Sequence, residues 1–146
     1  MKIKKKDVEP ILTTLYFVKE NKEFGLLTEE IPMSLRRFLQ RIRKELIEVY
    51  EELRKDIVEI SKEINKKVIS QLPSDITEKE YLDPKSEHNK IFSEKRKEFD
   101  EEFKKEIELL FNEEFELKSP LASLTMIESI NTKINYDFDL IEKIAQ

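Results

Sequence analysis

The stretch that decides the fold is Pro32–Leu72, PMSLRRFLQRIRKELIEVYEELRKDIVEISKEINKKVISQL. It holds no glycine and no proline after its first position, where proline suits a helix start. Its apolar residues are Leu35, Leu39, Ile42, Leu46, Val49, Leu53, Ile57, Ile60, Ile64 and Val68. From Leu35 to Leu53 they step 4-3-4-3-4, the spacing of a coiled-coil seam packed against another helix. The 4-4 step at Leu53–Ile57 departs from that repeat and relaxes the supercoil. At 1.5 Å per residue such a helix is a rod of about 60 Å. Part of its seam must therefore meet a second long helix or another chain.

Working outward, Pro73 ends the rod and a polar linker runs over about 73–86, with Thr77 and Glu80 at capping-box spacing. Ser86 can cap a second long helix over about 87–114, with Ile91, Phe92, Phe99, Phe103, Ile107, Leu110 and Phe111 as its apolar positions. Lys95 and Arg96 thin that seam. At the N-terminus, Met1–Lys5 alternates and reads as an edge strand. Asp7 is the expected cap of a short helix with Pro10 in its first turn, lined by Ile11, Leu12, Leu15, Tyr16 and Val18 and ending near Asn21. Glu23–Ile31, with the only glycine, Gly25, is a connection. Phe115–Lys118 alternates again, so residues near 1–5 and 115–118 are expected to pair as two β-strands. In the C-terminal segment, 115–146, Thr125 and Glu128 suggest another cap, with Tyr136, Leu140, Ile141 and Ile144 on one face of a last helix. The expectation is a single, mainly α domain over 1–146 built on a long antiparallel helical hairpin with short extra helices.

Composition agrees. The chain is 146 residues with 38% hydrophobic and 40% charged residues and a mean hydropathy of −0.60. That balance, with nine Phe at regular spacing, fits long helices with thin seams and wet faces rather than disorder. Residues 1–73 carry 16 Lys/Arg against 13 Asp/Glu, while 74–146 carry 11 against 19. Opposite net charges on the two halves favour attraction between the arms.

The composition disfavours most chemistry. Without cysteine there are no disulfides, thiolate metal sites or cysteine nucleophiles. His88, the only histidine, sits in a polar segment at a helix start and reads as a solvated or capping residue. One glycine cannot build a phosphate-cradling loop. Glu48, Glu51 and Glu52, or Asp100, Glu101 and Glu102, are carboxylate clusters of the kind that solvated helix faces produce. We expect no catalytic residue, no metal and no cofactor, and hence no enzyme. The basic lead Lys2–Lys6 is followed by Asp7, Glu9 and Pro10 rather than a signal-peptide core. No run approaches the roughly 20 apolar residues of a membrane span. A soluble protein inside a cell, with no membrane partner, is expected.

One surface stands out for binding: Arg36, Arg37, Arg41, Arg43 and Lys44 within SLRRFLQRIRKEL. At 100° per residue, Arg37, Arg41 and Lys44 fall within about 60° of one another, opposite the apolar seam. Arg36 and Arg43 border that face. Such a cluster grips carboxylates or phosphates, against the alternatives of internal pairing or plain solvation. Nucleic acid fits poorly with an overall pI of about 5.2. The stripe Phe92, Phe99, Phe103 and Phe111 is core unless the opposing arm leaves it uncovered, when it becomes a docking surface.

The order of MKIKKKDVEPILTTL, SLRRFLQRIRKELIEVYEELRKDIVEI, FSEKRKEFDEEFKKEIELLFNEEFELK and INYDFDLIEKI resembles a family of small uncharacterised proteins encoded by tailed bacteriophages of low-GC Gram-positive bacteria. The resemblance covers nearly the whole chain except the linker Ser70–Asn89. It implies phage origin, with a gene near those for virion morphogenesis, and implies no activity. The expected function is non-enzymatic protein–protein interaction, in virion structure or assembly, with copies of itself (a homo-oligomer) or other virion proteins as partners. The alternative is an intracellular antagonist that binds a host protein, such as a defence factor, through the charged helix face. The expected location is the host cytoplasm or the virion.

Overall fold

The computed structural model describes residues 1–119 and 138–144. Among them run β1 (Lys2–Lys4), α1 (Val8–Leu15), β2 (Phe17–Lys19), β3 (Lys22–Phe24), α2 (Met33–Ser70), α3 (Glu78–Leu82), α4 (Asn89–Lys97), α5 (Asp100–Asn112), β4 (Glu114–Glu116) and α6 (Phe138–Glu142). They group into two compact units. The expected cap at Thr125 and Glu128, and Tyr136, lie outside the described residues.

The first unit is Met1–Leu53 with the described part of Phe111–Gln146. Its core is the first half of the α2 seam, Leu35, Leu39, Ile42 and Leu46, each with no exposed surface, against Ile11 and Leu15 of α1 and Ile141 and Ile144 at α6. Strands β1 and β4 pair antiparallel, Ile3 opposite Phe115, as alternation at the two chain positions implied. The ladder extends by hydrogen bonds from the Lys5 N–H to the Glu113 carbonyl and from the Leu117 N–H to the Met1 carbonyl. Ile3 points inward, buried, while its lysine neighbours face water.

Two expectations fail here. The short helix stops at Leu15 rather than about Asn21, because Tyr16 turns extended and the chain doubles back as a β2–β3 hairpin. Glu20 and Asn21 make its two-residue turn with φ of 53° and 62°, the left-handed pair that matches strand twist. Asp7 precedes α1 but makes no side-chain cap; its carboxylate pairs instead with Lys143 at 3.1 Å. Gly25 follows the hairpin at φ 112°. A Cβ there would lie 2.5 Å from the Leu15 carbonyl oxygen, so only glycine allows so close a return.

The second unit is Arg54–Leu110. Ile64 and Val68 of α2, Tyr81 of α3 and Phe92 of α4 form its buried core, with Ile60, Phe99 and Phe103 packed against them. Lys67 on the outgoing arm donates to Glu102 on the returning one, in an antiparallel helical hairpin. The 4-3-4-3-4 seam that begins at Leu35, by contrast, packs in the first unit against the short helices α1 and α6 instead of a second long helix. Thr77 caps α3 by accepting from the Glu80 N–H at 3.3 Å, as the capping-box spacing implied. The Tyr81 hydroxyl donates to the Pro73 carbonyl at 2.6 Å, tying the linker to α3.

The returning arm is not one helix over 87–114. It starts at Asn89, since the Ser86 hydroxyl accepts from the His88 N–H within a turn. It ends at Asn112, where β4 takes the backbone. Between α4 and α5 it tightens at Glu98 and Phe99, whose N–H groups bond three residues back to Lys95 and Arg96. Neither glycine nor proline causes this. Lys95, Arg96 and Lys97 close α4, and Asp100, Glu101 and Glu102 open α5. Cations at a helix C-terminus and anions at the next N-terminus stabilise both ends of such a break.

Candidate functional site

The first four turns of α2 carry the arginine cluster, and the structure divides it. Because Leu35, Leu39, Ile42 and Leu46 are wholly buried, the residues one position on from the seam lie beside the core and those opposite it reach water. Arg36 and Arg43 are of the first kind. The Arg36 guanidinium donates to the Leu27 carbonyl at 2.5 Å and to the Glu29 carbonyl at 2.7 Å. It thereby satisfies the end of the 3₁₀ turn Leu26–Thr28 that follows Gly25. The Arg43 guanidinium lies 4.9 Å from the Tyr16 ring centroid, and its buried Nε has no hydrogen-bond partner among the described residues.

Arg37, Arg41 and Lys44 are of the second kind. All three are exposed, and among the described residues none forms an ion pair. Among the described residues, internal pairing with acids of the other half accounts for none of the five cations: two brace the first unit and three face water. Arg37 and Lys44 are seven residues apart, about 10 Å along the axis. The adjacent Glu45 turns the other way. Its carboxylate accepts from the Lys118 N–H at 2.6 Å and from the N–H and hydroxyl of Ser119 at 2.8 and 2.5 Å. Burial alone would raise its pKa, but those donors and the Lys118 charge outweigh it and hold the carboxyl below its ordinary range.

The aromatic stripe is not a continuous surface. Phe92 is buried, and Phe99 and Phe103 pack on it within the second unit, with the Arg96 guanidinium 4.9 Å from the Phe103 ring centroid. Phe111 belongs to the first unit, where it lines an open cavity of about 500 Å³ with Lys6, Glu9, Pro10 and Thr13. A different aromatic feature, hidden in the sequence, is exposed: the Phe17 and Phe24 rings stack 5.0 Å apart across the β2–β3 hairpin.

His88 approaches Glu87 at 3.6 Å and meets the edge of the Tyr81 ring. Among the described residues, no three His, Asp or Glu side chains are grouped to hold a metal ion, and no helix is long and apolar enough to cross a membrane. What the site offers chemically is three hydrogen-bonding cations at fixed spacing, suited to a row of carboxylates or phosphates. No family model, curated protein or solved structure matches the chain.

Proposed function

We propose that the chain is a non-catalytic protein of tailed-bacteriophage origin that acts by docking onto proteins, copies of itself or other virion proteins, in virion structure or assembly. The observation that supports docking is the face of Arg37, Arg41 and Lys44: exposed cations with no ion pair among the described residues, on a helix whose opposite side is anchored by four fully buried residues. Fixed spacing on a rigid element lowers the ordering cost of engaging an acidic partner. The phage setting rests on the sequence resemblance alone, and places the protein in the host cytoplasm or the virion.

The antagonist reading is favoured by one observation. Seam residues of α2, together with Phe92, Phe99 and Phe103, are taken up inside the two units. The surfaces that a salt-resistant virion contact would have used are thus occupied, while the charged face stays open and favours a salt-sensitive partner.

A tagged pull-down from the infected host, nuclease-treated and washed at low and high salt, tests both. Recovery of virion proteins supports assembly; one host protein lost at high salt supports antagonism. Arg37→Glu with Arg41→Glu should abolish recovery, and undiminished recovery would remove this face from the function.

A further inference from the structure

The cationic face continues, on the same side of α2 and within the first unit, into an acidic one. Taking 100° per residue, Arg37, Arg41, Glu48 and Glu52 lie on a strip about 60° wide and about 22 Å long. All four are exposed, and among the described residues none of their side chains has a hydrogen-bond or ion-pair partner; only the Arg41 carbonyl is engaged, accepting from the Ser119 hydroxyl at 3.4 Å. They cannot satisfy one another: Arg41 and Glu48 are seven residues apart, beyond the reach of i,i+4 pairing. The order along the strip is two cations, then two anions.

Resting on the reading that this face docks proteins, we propose that its partner is a second copy of this chain, bound antiparallel through α2. A two-fold axis crossing α2 between Lys44 and Glu45 places Arg37 opposite the mate's Glu52 and Arg41 opposite the mate's Glu48. Symmetry repeats both, giving four ion pairs from one self-complementary patch, the signature of an isologous dimer. A parallel pairing sets arginine on arginine and glutamate on glutamate, so the charge order selects the antiparallel one. Helices packed at roughly 8–10 Å leave room for Arg and Glu side chains to meet. Lys44 sits at the edge of the strip near the axis, where its flexible stem turns to the mate's Glu48. Glu45 takes no part, since it holds Lys118 and Ser119. The contact is polar, so the dimer is weak and salt-sensitive.

Sedimentation of the full chain at low and high salt, with three samples, tests this. The wild type should show a concentration-dependent monomer–dimer equilibrium at low salt that shifts to monomer at high salt. The all-acidic strip of R37E/R41E and the all-basic strip of E48K/E52K should each be monomeric, with association weakened about tenfold or more. Mixed one to one, those two variants should form a heterodimer. Wild type that stays monomeric at low salt, a dimer that survives in either variant, or a mixture that does not associate would overturn the proposal. Both substitutions replace exposed residues, and unchanged far-UV circular dichroism confirms the fold. The E48K/E52K variant keeps every cation, so recovery of a phage or host partner with it, in the absence of a dimer, leaves the docking reading standing while self-association fails. Loss of the partner from R37E/R41E in a chain shown to be monomeric separates the two in the same way.

Discussion

The Arg43 guanidinium stacks over the Tyr16 ring while the Tyr16 hydroxyl donates to Glu23 at 2.9 Å, so one tyrosine, the first residue after α1, links α2 to strand β3. The bond to Glu23, then burial, then the Glu23 charge raise the Tyr16 pKa, against the opposing effect of Arg43. A folded pKa above the unfolded one means the contribution is complete at neutral pH, below the ordinary tyrosine range. It is lost as pH rises through the folded value. Alkaline unfolding should therefore begin at higher pH in Tyr16→Phe than in the wild type, relative to each protein's stability at neutral pH. Arg43→Ala should cost about 1 kcal/mol of cation–π attraction, plus the packing of its stem. Urea denaturation followed by tyrosine fluorescence measures both.

Glu45 should govern the acid limb. Its carboxyl is held below its ordinary range, so its stabilising effect is present above that range and disappears as pH falls through the depressed folded value. Glu45→Gln keeps the shape and removes the titration. The wild type should lose stability below the ordinary carboxylate range more steeply than the variant, and the curves should converge at low pH. Glu45→Ala, which leaves the Lys118 and Ser119 N–H groups without their acceptor, should cost about 1–2 kcal/mol at neutral pH.

Much of this architecture is legible in the sequence, because a long helix repeats its message at every turn. The ten-residue seam placed α2 at Met33–Ser70 within two residues of the reading from Pro32 to Leu72. The alternation around Ile3 and Phe115 found a strand pair separated by most of the chain. Short elements repeat nothing. Phe17, Val18 and Phe24 fit a helix or a strand equally well over so few residues, and the Glu20–Asn21 turn lacks the Asn-Gly pair that marks a tight hairpin. The α4–α5 break is written only as a switch from Lys95–Lys97 to Asp100–Glu102. The arginine cluster shows the same limit. Helical geometry separated Arg37, Arg41 and Lys44 from the border residues Arg36 and Arg43. It could not say that Leu27 and Tyr16, remote in sequence, would engage the border pair.

Gly25 should tolerate no side chain. Its φ of 112° is a conformation L-residues rarely adopt, and an added Cβ would meet the Leu15 carbonyl oxygen at 2.5 Å. Both faults fall at the junction of α1, the hairpin and the 3₁₀ turn that Arg36 braces. Gly25→Ala should lower stability by about 2 kcal/mol or more, seen as a fall in the thermal midpoint. An unchanged midpoint would mean that the loop repacks at little cost.

In the second unit, apolar burial should outweigh charge. Lys67 and Glu102 form the ion pair between the arms, and that bond, then the Glu102 charge, raises the lysine pKa. Yet both side chains are largely exposed, at 56% and 40%, where water and salt screen the attraction. Ile64, three residues before Lys67 on α2, is 2% exposed and sits in the core with Val68, Tyr81 and Phe92. Lys67→Met should leave the urea midpoint nearly unchanged, and the small difference should vanish at high salt. Ile64→Ala removes buried methylenes and leaves a cavity, which costs about 2–5 kcal/mol and is insensitive to salt. If the two variants lost stability equally, the arms would be held by charge, and the α2 seam beyond Leu53 would count for far less than its burial implies.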